Sequence, residues 1–225
     1  MSRRLLLLFD IDGTLLQGAA VEHSRALREA AGAVHGLPAL DGEVDAPGQT
    51  DGAIVGDLLR LAGVSDERWD EVAAAAVERF AELCPDDLSE RVAPGMAALL
   101  PALAERPEEF RLSLVTGNLE PIARLKLARA GLAEYFEDGQ GGFGSDHRSR
   151  SELPAIARDR AGGWPRERTV VIGDTPRDIA CARADRVRVV AVATGPFAVG
   201  ALAEADAVVD DARSLLPVLE DLAAR

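Results

Sequence analysis

Short runs of aliphatic residues alternate along the chain with longer segments of mixed polarity. The apolar runs lack polar alternation, which is typical of parallel strands buried on both faces of a sheet. Five such runs are predicted as strands, at residues 5–9, 112–115, 169–172, 187–192 and 207–209. Segments with helical spacing of apolar residues lie at 121–130, 151–161, 176–184 and 212–224. This alternation predicts an α/β fold with a parallel sheet, right-handed crossovers and helices on both faces.

The segment between the first two predicted strands breaks this rhythm. It contains no clear strand and shows helical patterns at 21–31, 52–62 and 66–83. We therefore predict a small all-helical cap domain over residues 18–92, inserted into a core domain of residues 1–17 and 93–225. Residues 139–144 are rich in glycine but do not lie between a strand and a helix, so we expect a plain loop there and no dinucleotide-binding motif.

The amino-acid composition restricts the possible binding partners more than it restricts the fold. The 225 residues include 25 basic and 38 acidic side chains, and the net charge is −13 with no long basic stretch. This balance argues against nucleic acid or an anionic membrane as a partner. A small phosphorylated metabolite is compatible with it, because a metal ion or a local cation overrides the global charge. The composition does not indicate an oligomeric state.

Two further features bear on location. Cys84 and Cys181 are far apart and show no metal-binding spacing, which fits a reducing compartment. Arg3 and Arg4 precede the apolar run at 5–9, as in a signal peptide, but that run is too short and no small-residue cleavage site follows. No apolar run approaches the roughly 18 residues of a membrane span, so we expect a soluble, cytoplasmic protein.

The strongest candidate for chemistry is the acidic stretch that follows the first predicted strand. The strand leads directly into Asp10 and Asp12, and side chains two positions apart in extended backbone point to the same side. Gly13 then allows a sharp turn. In open α/β sheets, ligands bind at this carboxyl end of the strands. A surface turn is the alternative, but it does not explain why a fully apolar strand delivers two acids.

A second acidic pair follows the predicted strand at 169–172. Asp174 falls at the strand end, and Asp178 lies four residues later, on the same side of a first helical turn. Acids also cap helix N-termini, an alternative that is stronger for Asp178 than for Asp174. Four converging carboxylates would repel one another. A hard divalent cation with oxygen ligands resolves this conflict, and Mg²⁺ is typical where phosphate is the other ligand.

A third polar group, Thr116-Gly117-Asn118, follows the predicted strand at 112–115 and opens a helix. A hydroxyl and free backbone N–H groups at a helix N-terminus form an anion site. The alternative is that Thr116 acts only as a helix N-cap, and these residues alone do not decide between the two.

In this order and placement, the three groups resemble the motifs of the haloacid dehalogenase superfamily. Its first motif matches Asp10–Thr14, its second the hydroxyl of Thr116, and its fourth Gly173, Asp174 and Asp178. The resemblance covers the core domain. It implies a Rossmann-like core with a helical cap, and a Mg²⁺-dependent phosphatase for a small phosphomonoester such as phosphoglycolate or a sugar phosphate.

The resemblance also implies a role for each residue. Asp10 is the nucleophile that forms a phosphoaspartyl intermediate, and Asp12 is the acid and then the base. The dehalogenases lack this second aspartate, so Asp12 favours phosphorus over carbon as the target. The predicted Mg²⁺ residues are Asp10, Asp12 through its backbone carbonyl, Asp174 and, directly or in support, Asp178. The predicted phosphate-binding residues are Thr116, Gly117 and Asn118, together with a cation.

The third motif, normally a lysine before a helix, is not matched. Arg150, directly before the predicted helix at 151–161, is preferred as the cation that holds phosphate and nucleophile, since a guanidinium provides a permanent forked charge. Arg148 and Lys126 are the alternatives. Lys126 is the only lysine of the chain, but eight helical residues past Asn118 correspond to about 12 Å along an axis that leads away from the site.

Within the predicted cap, residues 47–52 form a turn-rich segment that opens a helix. It is similar to the cap segment of phosphoglycolate-phosphatase-like members, so Gln49 and Thr50 are predicted to contact the substrate. A capped helix start at Thr50 or Asp51 is the alternative. No histidine shows ligand spacing. The three, which we interpret as surface or packing residues, are His23, His35 and His147.

Three other functions are possible from the sequence. A phosphomutase of the beta-phosphoglucomutase type shares the cap and the nucleophile, but it would protect its phosphoenzyme from water. A receiver-like phosphoaccepting signalling domain also gathers acids and a Thr at strand ends, but it does not explain the helical insert. A catalytically silent binding protein is disfavoured because no core acid is missing.

Overall fold

The structure is a computed structural model that describes residues 4–224; Arg3 of the signal-like stretch and the outermost ends of the predicted core domain lie outside this range. Its centre is a six-stranded sheet in the order β3-β2-β1-β4-β5-β6, with every pairing parallel. The strands are β1 (Leu5–Phe9), β2 (Phe110–Thr116), β3 (Gly142–Phe143), β4 (Thr169–Gly173), β5 (Arg188–Val192) and β6 (Ala207–Val209). The helices are α1 (Ala20–Val34), α2 (Asp51–Leu61), α3 (Trp69–Leu83), α4 (Met96–Ala104), α5 (Glu120–Arg129), α6 (Leu153–Arg160), α7 (Pro176–Asp185) and α8 (Leu215–Ala224). The predicted α/β fold class is confirmed.

The central strand explains why the apolar runs lack alternation. All five residues of β1 are fully buried. Leu5, Leu7 and Phe9 belong to the apolar core on one face of the sheet, and Leu6 and Leu8 belong to the core on the other face. Because both faces of a parallel sheet are covered, every position of such a strand favours an apolar side chain.

The segment between β1 and β2 carries α1, α2 and α3, and we call residues 20–83 the helical insert. Helix α1 packs against α3. The insert is joined to the larger apolar core, since Leu27, Val72 and Phe80 belong to the same buried cluster as Phe9. The division into a core domain and a cap domain remains a prediction. Within the described range, no helix combines the length and the apolar character needed to cross a membrane.

The glycine-rich segment at 139–144 differs from the predicted loop, because two of its residues form the edge strand β3, which pairs with β2. A Cβ on Gly142 would lie 2.2 Å from the backbone oxygen of Leu153, so glycine is what allows α6 to pack closely here. A two-residue strand without β-branched residues leaves little pattern in the sequence, and the loop prediction was wrong. Helix α4 was also not predicted.

Candidate active site

The predicted site residues follow three neighbouring strands. Asp10, Thr116 and Asp174 come at the carboxyl ends of β1, β2 and β4, which lie side by side in the order β2-β1-β4. Asp10, Asp174 and Asp178 are buried, and one carboxylate oxygen of each lies within 4.8 Å of the others. The predicted convergence of these three acids is therefore present.

Local helix signals place the Asp178 carboxylate. Thr175 is the N-cap of α7, and Pro176 is its first residue. The Asp178 carboxylate accepts hydrogen bonds from the Thr175 backbone N–H at 2.9 Å and from its hydroxyl at 2.7 Å, which completes a capping box. Asp178 thus caps a helix, as the alternative interpretation held, while it also belongs to the acid cluster.

Arg150 lies between two of these acids. Its guanidinium is 3.0 Å from Asp10 Oδ1 and 2.5 Å from Asp178 Oδ1, and the side chain is only 8% exposed. Arg148, the alternative cation, pairs instead with the half-exposed Asp66. Of these two arginines, Arg150 is the one that the fold brings to the acids.

Electrostatics in the cluster favour a bound cation. Burial raises the pKa of Asp10 to about 6, against the opposing effect of Arg150. Burial raises the pKa of Asp174 to about 8, and the nearby Asp178 and Asp10 carboxylates add to this rise. Such shifts mean that the two carboxylates lack sufficient positive charge around them.

The surroundings of Asp174 fit a metal ligand. Thr14 donates a hydrogen bond to Asp174 Oδ1 at 3.0 Å, whereas Oδ2 is buried without a partner among residues 4–224. A Cβ on Gly13 or Gly195 would lie 2.2 Å or 1.7 Å from that oxygen, so two glycines leave space around it. An unpartnered, cradled carboxylate oxygen beside two further acids suits a hard divalent cation.

Asp12 does not join the acid cluster. Its carboxylate accepts hydrogen bonds from Lys126 Nζ at 2.6 and 2.8 Å and from Asn118 Nδ2 at 2.9 Å. Burial raises the pKa of Asp12, but the Lys126 charge and these bonds outweigh it and hold the pKa below its ordinary value. The Asp12 carboxylate is therefore not available to a metal ion, and the predicted role of its backbone carbonyl as a ligand stays a prediction.

The position of Lys126 corrects the expectation that its helix leads it away from the site. Lys126 is fully buried and also donates to Asn118 Oδ1 at 2.8 Å. Helix α5 begins only at Glu120, and helical side chains lean toward the N-terminus, so the long lysine side chain reaches back to the strand ends. The predicted distance counted eight helical residues from Asn118 along the axis and left out the length and direction of the lysine side chain. Its status as the only lysine of an arginine-rich chain was the available signal.

His23 and Asp51 extend this network into the helical insert. His23 Nδ1 lies 3.1 Å from Lys126 Nζ, and His23 Nε2 lies 3.0 Å from Asp51 Oδ2. Asp51 also accepts the backbone N–H of Leu119 at 2.7 Å. His23 is buried against Phe80, so its predicted packing role is present, but no local pattern in the sequence indicates its polar contacts. They depend on α1, α2 and α5 meeting in space.

The remaining predicted residues divide between the cavity and its supports. Gly117, Asn118 and Gln49 line the cavity at the acids. Thr116 is fully buried, and its hydroxyl accepts the Asn118 N–H at 3.4 Å. Thr50 caps α2 and donates to the backbone oxygen of Arg148 at 2.6 Å, so its side chain serves the helix start, as the alternative interpretation held.

The geometry of the site agrees with a comparison of the sequence with known families. Residues 7–183 match the model of the haloacid dehalogenase-like hydrolase family. The chain belongs to this family. The phosphoglycolate phosphatase of Rhodospirillum rubrum is 34% identical in an alignment of 220 residues, which covers 92% of this chain and 88% of the relative. That of Chromobacterium violaceum is 28% identical in an alignment of 197 residues, which covers 83% of this chain and 84% of the relative. The beta-phosphoglucomutase structure from Clostridium difficile has a TM-score of 0.75 and 18% identity, covers 98% of this chain and 97% of its own, and shows the fold alone.

Membership of the family confirms the recognition made from the motifs. Together with the relatives, it confirms the predicted class of enzyme, a phosphoric monoester hydrolase. A receiver-like signalling domain and a catalytically silent protein are not supported by these matches. The roles of individual residues remain predictions.

Proposed function

We propose that this protein is a Mg²⁺-dependent phosphatase that hydrolyses a small phosphomonoester through a phosphoaspartyl intermediate on Asp10. The observation that carries the proposal is the convergence of Asp10, Asp174 and Asp178 beside Arg150, with one oxygen of Asp174 buried and unpartnered in the described chain. The proposed substrate is a phosphorylated small metabolite, either phosphoglycolate-like, as the names of the relatives suggest, or a sugar phosphate.

Asp10 and Asp174 are proposed to hold the cation, with the backbone carbonyl of Asp12 as a further ligand. Both oxygens of Asp178 accept hydrogen bonds, from Arg150 and from Thr175, so we assign it mainly to orienting Arg150. When bound, Mg²⁺ would neutralise charge on the carboxylates and on the phosphoryl oxygens.

In the first proposed step, an Asp10 oxygen attacks phosphorus while the bond to the ester oxygen breaks, and Asp12 gives a proton to that oxygen. In the second, Asp12 takes a proton from water, which attacks phosphorus and releases phosphate from Asp10. Arg150, the Gly117 N–H and the polar groups of Thr116 and Asn118 would hold the phosphoryl oxygens in place. The second step returns to Asp12 the proton that it gave up in the first, so the cycle balances. Its contacts with Lys126 favour the ionised form, so an Asp12 that has lost this proton to solvent must regain it before the first step.

Lys126 is assigned to positioning rather than to phosphate binding. An ammonium group has three N–H donors. Those of Lys126 are directed to Asp12, Asn118 and His23, which leaves none for a phosphoryl oxygen. Arg150 therefore stays our choice for the cation that contacts phosphate.

The test is phosphate release from a panel of small phosphomonoesters with Mg²⁺ or with EDTA. We expect Asp10→Asn to abolish release and to prevent the mass increase of one phosphoryl group that acid-quenched wild type shows during turnover. Asp86→Asn, a change at a fully exposed aspartate, is the matched control. Full activity of Asp10→Asn, or no effect of EDTA, would contradict the proposal. Isomerised sugar phosphate in place of free phosphate would identify the phosphomutase instead.

A further inference from the structure

The cavity at the acids has two chemically different ends. Its volume is about 400 Å³, and it lies between the strand ends and the helical insert. The acids and Arg150 occupy one end. The other end, toward which the leaving group of an ester attacked by Asp10 would extend, is formed by the helical insert. Its lining includes Asp51 and Gln49 but is mainly small and apolar, with Ala20, Ser24, Leu27, Ala46, Pro47 and Ile54.

Positive charge in this cavity is confined to the phosphoryl end. Arg150 is the one arginine or lysine among the described lining residues, and it is already paired with Asp10 and Asp178. Asp10, Asp12, Asp51 and Asp174 also line the cavity, so anionic groups outnumber cationic ones.

His23 does not supply a missing cation at the leaving-group end. The Lys126 ammonium can only donate, so His23 Nδ1 must accept its hydrogen bond. We therefore assign the ring proton to Nε2, which donates to Asp51 Oδ2. In this arrangement both nitrogens of the imidazole are used within the protein, so neither is free to contact a leaving group.

We propose that the leaving-group end accepts an uncharged group, such as a polyol or sugar, and discriminates against a carboxylate or a second phosphate. This inference rests on the proposed function and chooses between its two substrate classes. A carboxylate that enters this end would lose water and would find no arginine or lysine there to pair with among the described lining residues, which is unfavourable.

The test compares esters that differ only in this charge. 2-Phosphoglycolate and 2-hydroxyethyl phosphate share a two-carbon chain, with a carboxylate or a CH₂OH group at its end; 3-phosphoglycerate and glycerol 3-phosphate form a second pair. We expect kcat/KM with Mg²⁺ to be at least about tenfold higher for the uncharged member. Phosphate release with equal or reversed preference overturns this inference alone. No release from any of the four overturns the proposed function and this inference with it.

A gain of charge provides an independent check. Ser24 lines the leaving-group end, and its side chain is bonded only weakly, to Arg28 Nε at 3.4 Å. Ser24→Arg should raise the preference for 2-phosphoglycolate over 2-hydroxyethyl phosphate by at least about tenfold, whereas Ser24→Gln, of similar shape but uncharged, should leave the ratio near the wild-type value. An unchanged ratio in Ser24→Arg, or the same shift in both variants, would refute the inference.

Discussion

Lys126 Nζ contacts both carboxylate oxygens of Asp12, at 2.6 and 2.8 Å, from a fully buried position on α5. The pair joins the only lysine of the chain to the proposed acid and base. Because His23 and Asp51 of the helical insert continue the network, the orientation of Asp12 depends on contacts from both sides of the cavity.

Replacing Lys126 by Met should impair catalysis and change its pH dependence. Loss of the ammonium removes the charge that holds the pKa of Asp12 low, so the pH–rate profile should move to higher pH. We expect kcat to fall by about 10- to 100-fold near neutral pH, because the Asp12 carboxylate also loses the two hydrogen bonds that hold it in position. Arg25→Met, which removes an exposed ion pair with Glu29, is the control. A variant with reduced kcat but an unshifted profile would contradict the link to Asp12.

Asp174 should make the metal-free protein less stable as pH rises. Its folded-state pKa, about 8, lies above the ordinary 3.8, so the folded state binds more protons between these values. Unfolding free energy then falls with rising pH across this window. Urea unfolding in EDTA gives the unfolding free energy of wild type and of Asp174→Asn. We expect the wild-type value minus the Asp174→Asn value to decrease from pH 5 to pH 8. For the control Asp86→Asn, the corresponding difference in unfolding free energy should not change with pH. A difference for Asp174→Asn that is also independent of pH would contradict the raised pKa of Asp174.

Gly195 should be required for binding of the cation. A Cβ at this position would lie 1.7 Å from Asp174 Oδ2 and would displace the carboxylate. We expect Gly195→Ala to lower the affinity for Mg²⁺ by at least about tenfold, as measured by calorimetry and by titration of activity with Mg²⁺. Gly200→Ala is the matched control, because a Cβ there meets nothing within 4 Å. Equal Mg²⁺ affinity in both variants would speak against Asp174 as a ligand.

Arg150 and Arg148 offer a direct comparison of two arginines close in sequence. Arg150→Met should lower kcat/KM by about 100- to 1,000-fold, because it removes the charge beside the nucleophile and leaves Asp10 and Asp178 without their partner. Arg148→Met removes a half-exposed pair with Asp66 and a cation–π contact with Trp69, neither of which involves the acids, so we expect an effect of less than about threefold. Similar losses in both variants would reopen the choice of cation.

Helices and strands with strong patterns were predictable from the sequence, as were the acids at the strand ends. The strand at 207–209 has the predicted bounds, and the predicted helix at 52–62 is α2 (Asp51–Leu61), one residue away. The edge strand β3 was missed because its pairing with β2 depends on tertiary contacts rather than on side-chain pattern. The role of Thr50 also depends on tertiary contacts. Its place in the sequence fits both a substrate contact and a helix cap, and the structure shows the cap.

The apolar pattern of the strands was enough to predict that Asp10 and Asp174 meet, because parallel strands buried on both faces bring their carboxyl ends to one edge of the sheet. Which charged side chains reach that edge depends on tertiary packing. Lys126 and His23 are far from Asp12 along the chain, and long or buried side chains find their partners by helix packing, which no local spacing encodes. The same packing makes Arg150 the one arginine or lysine among the described residues that line the cavity.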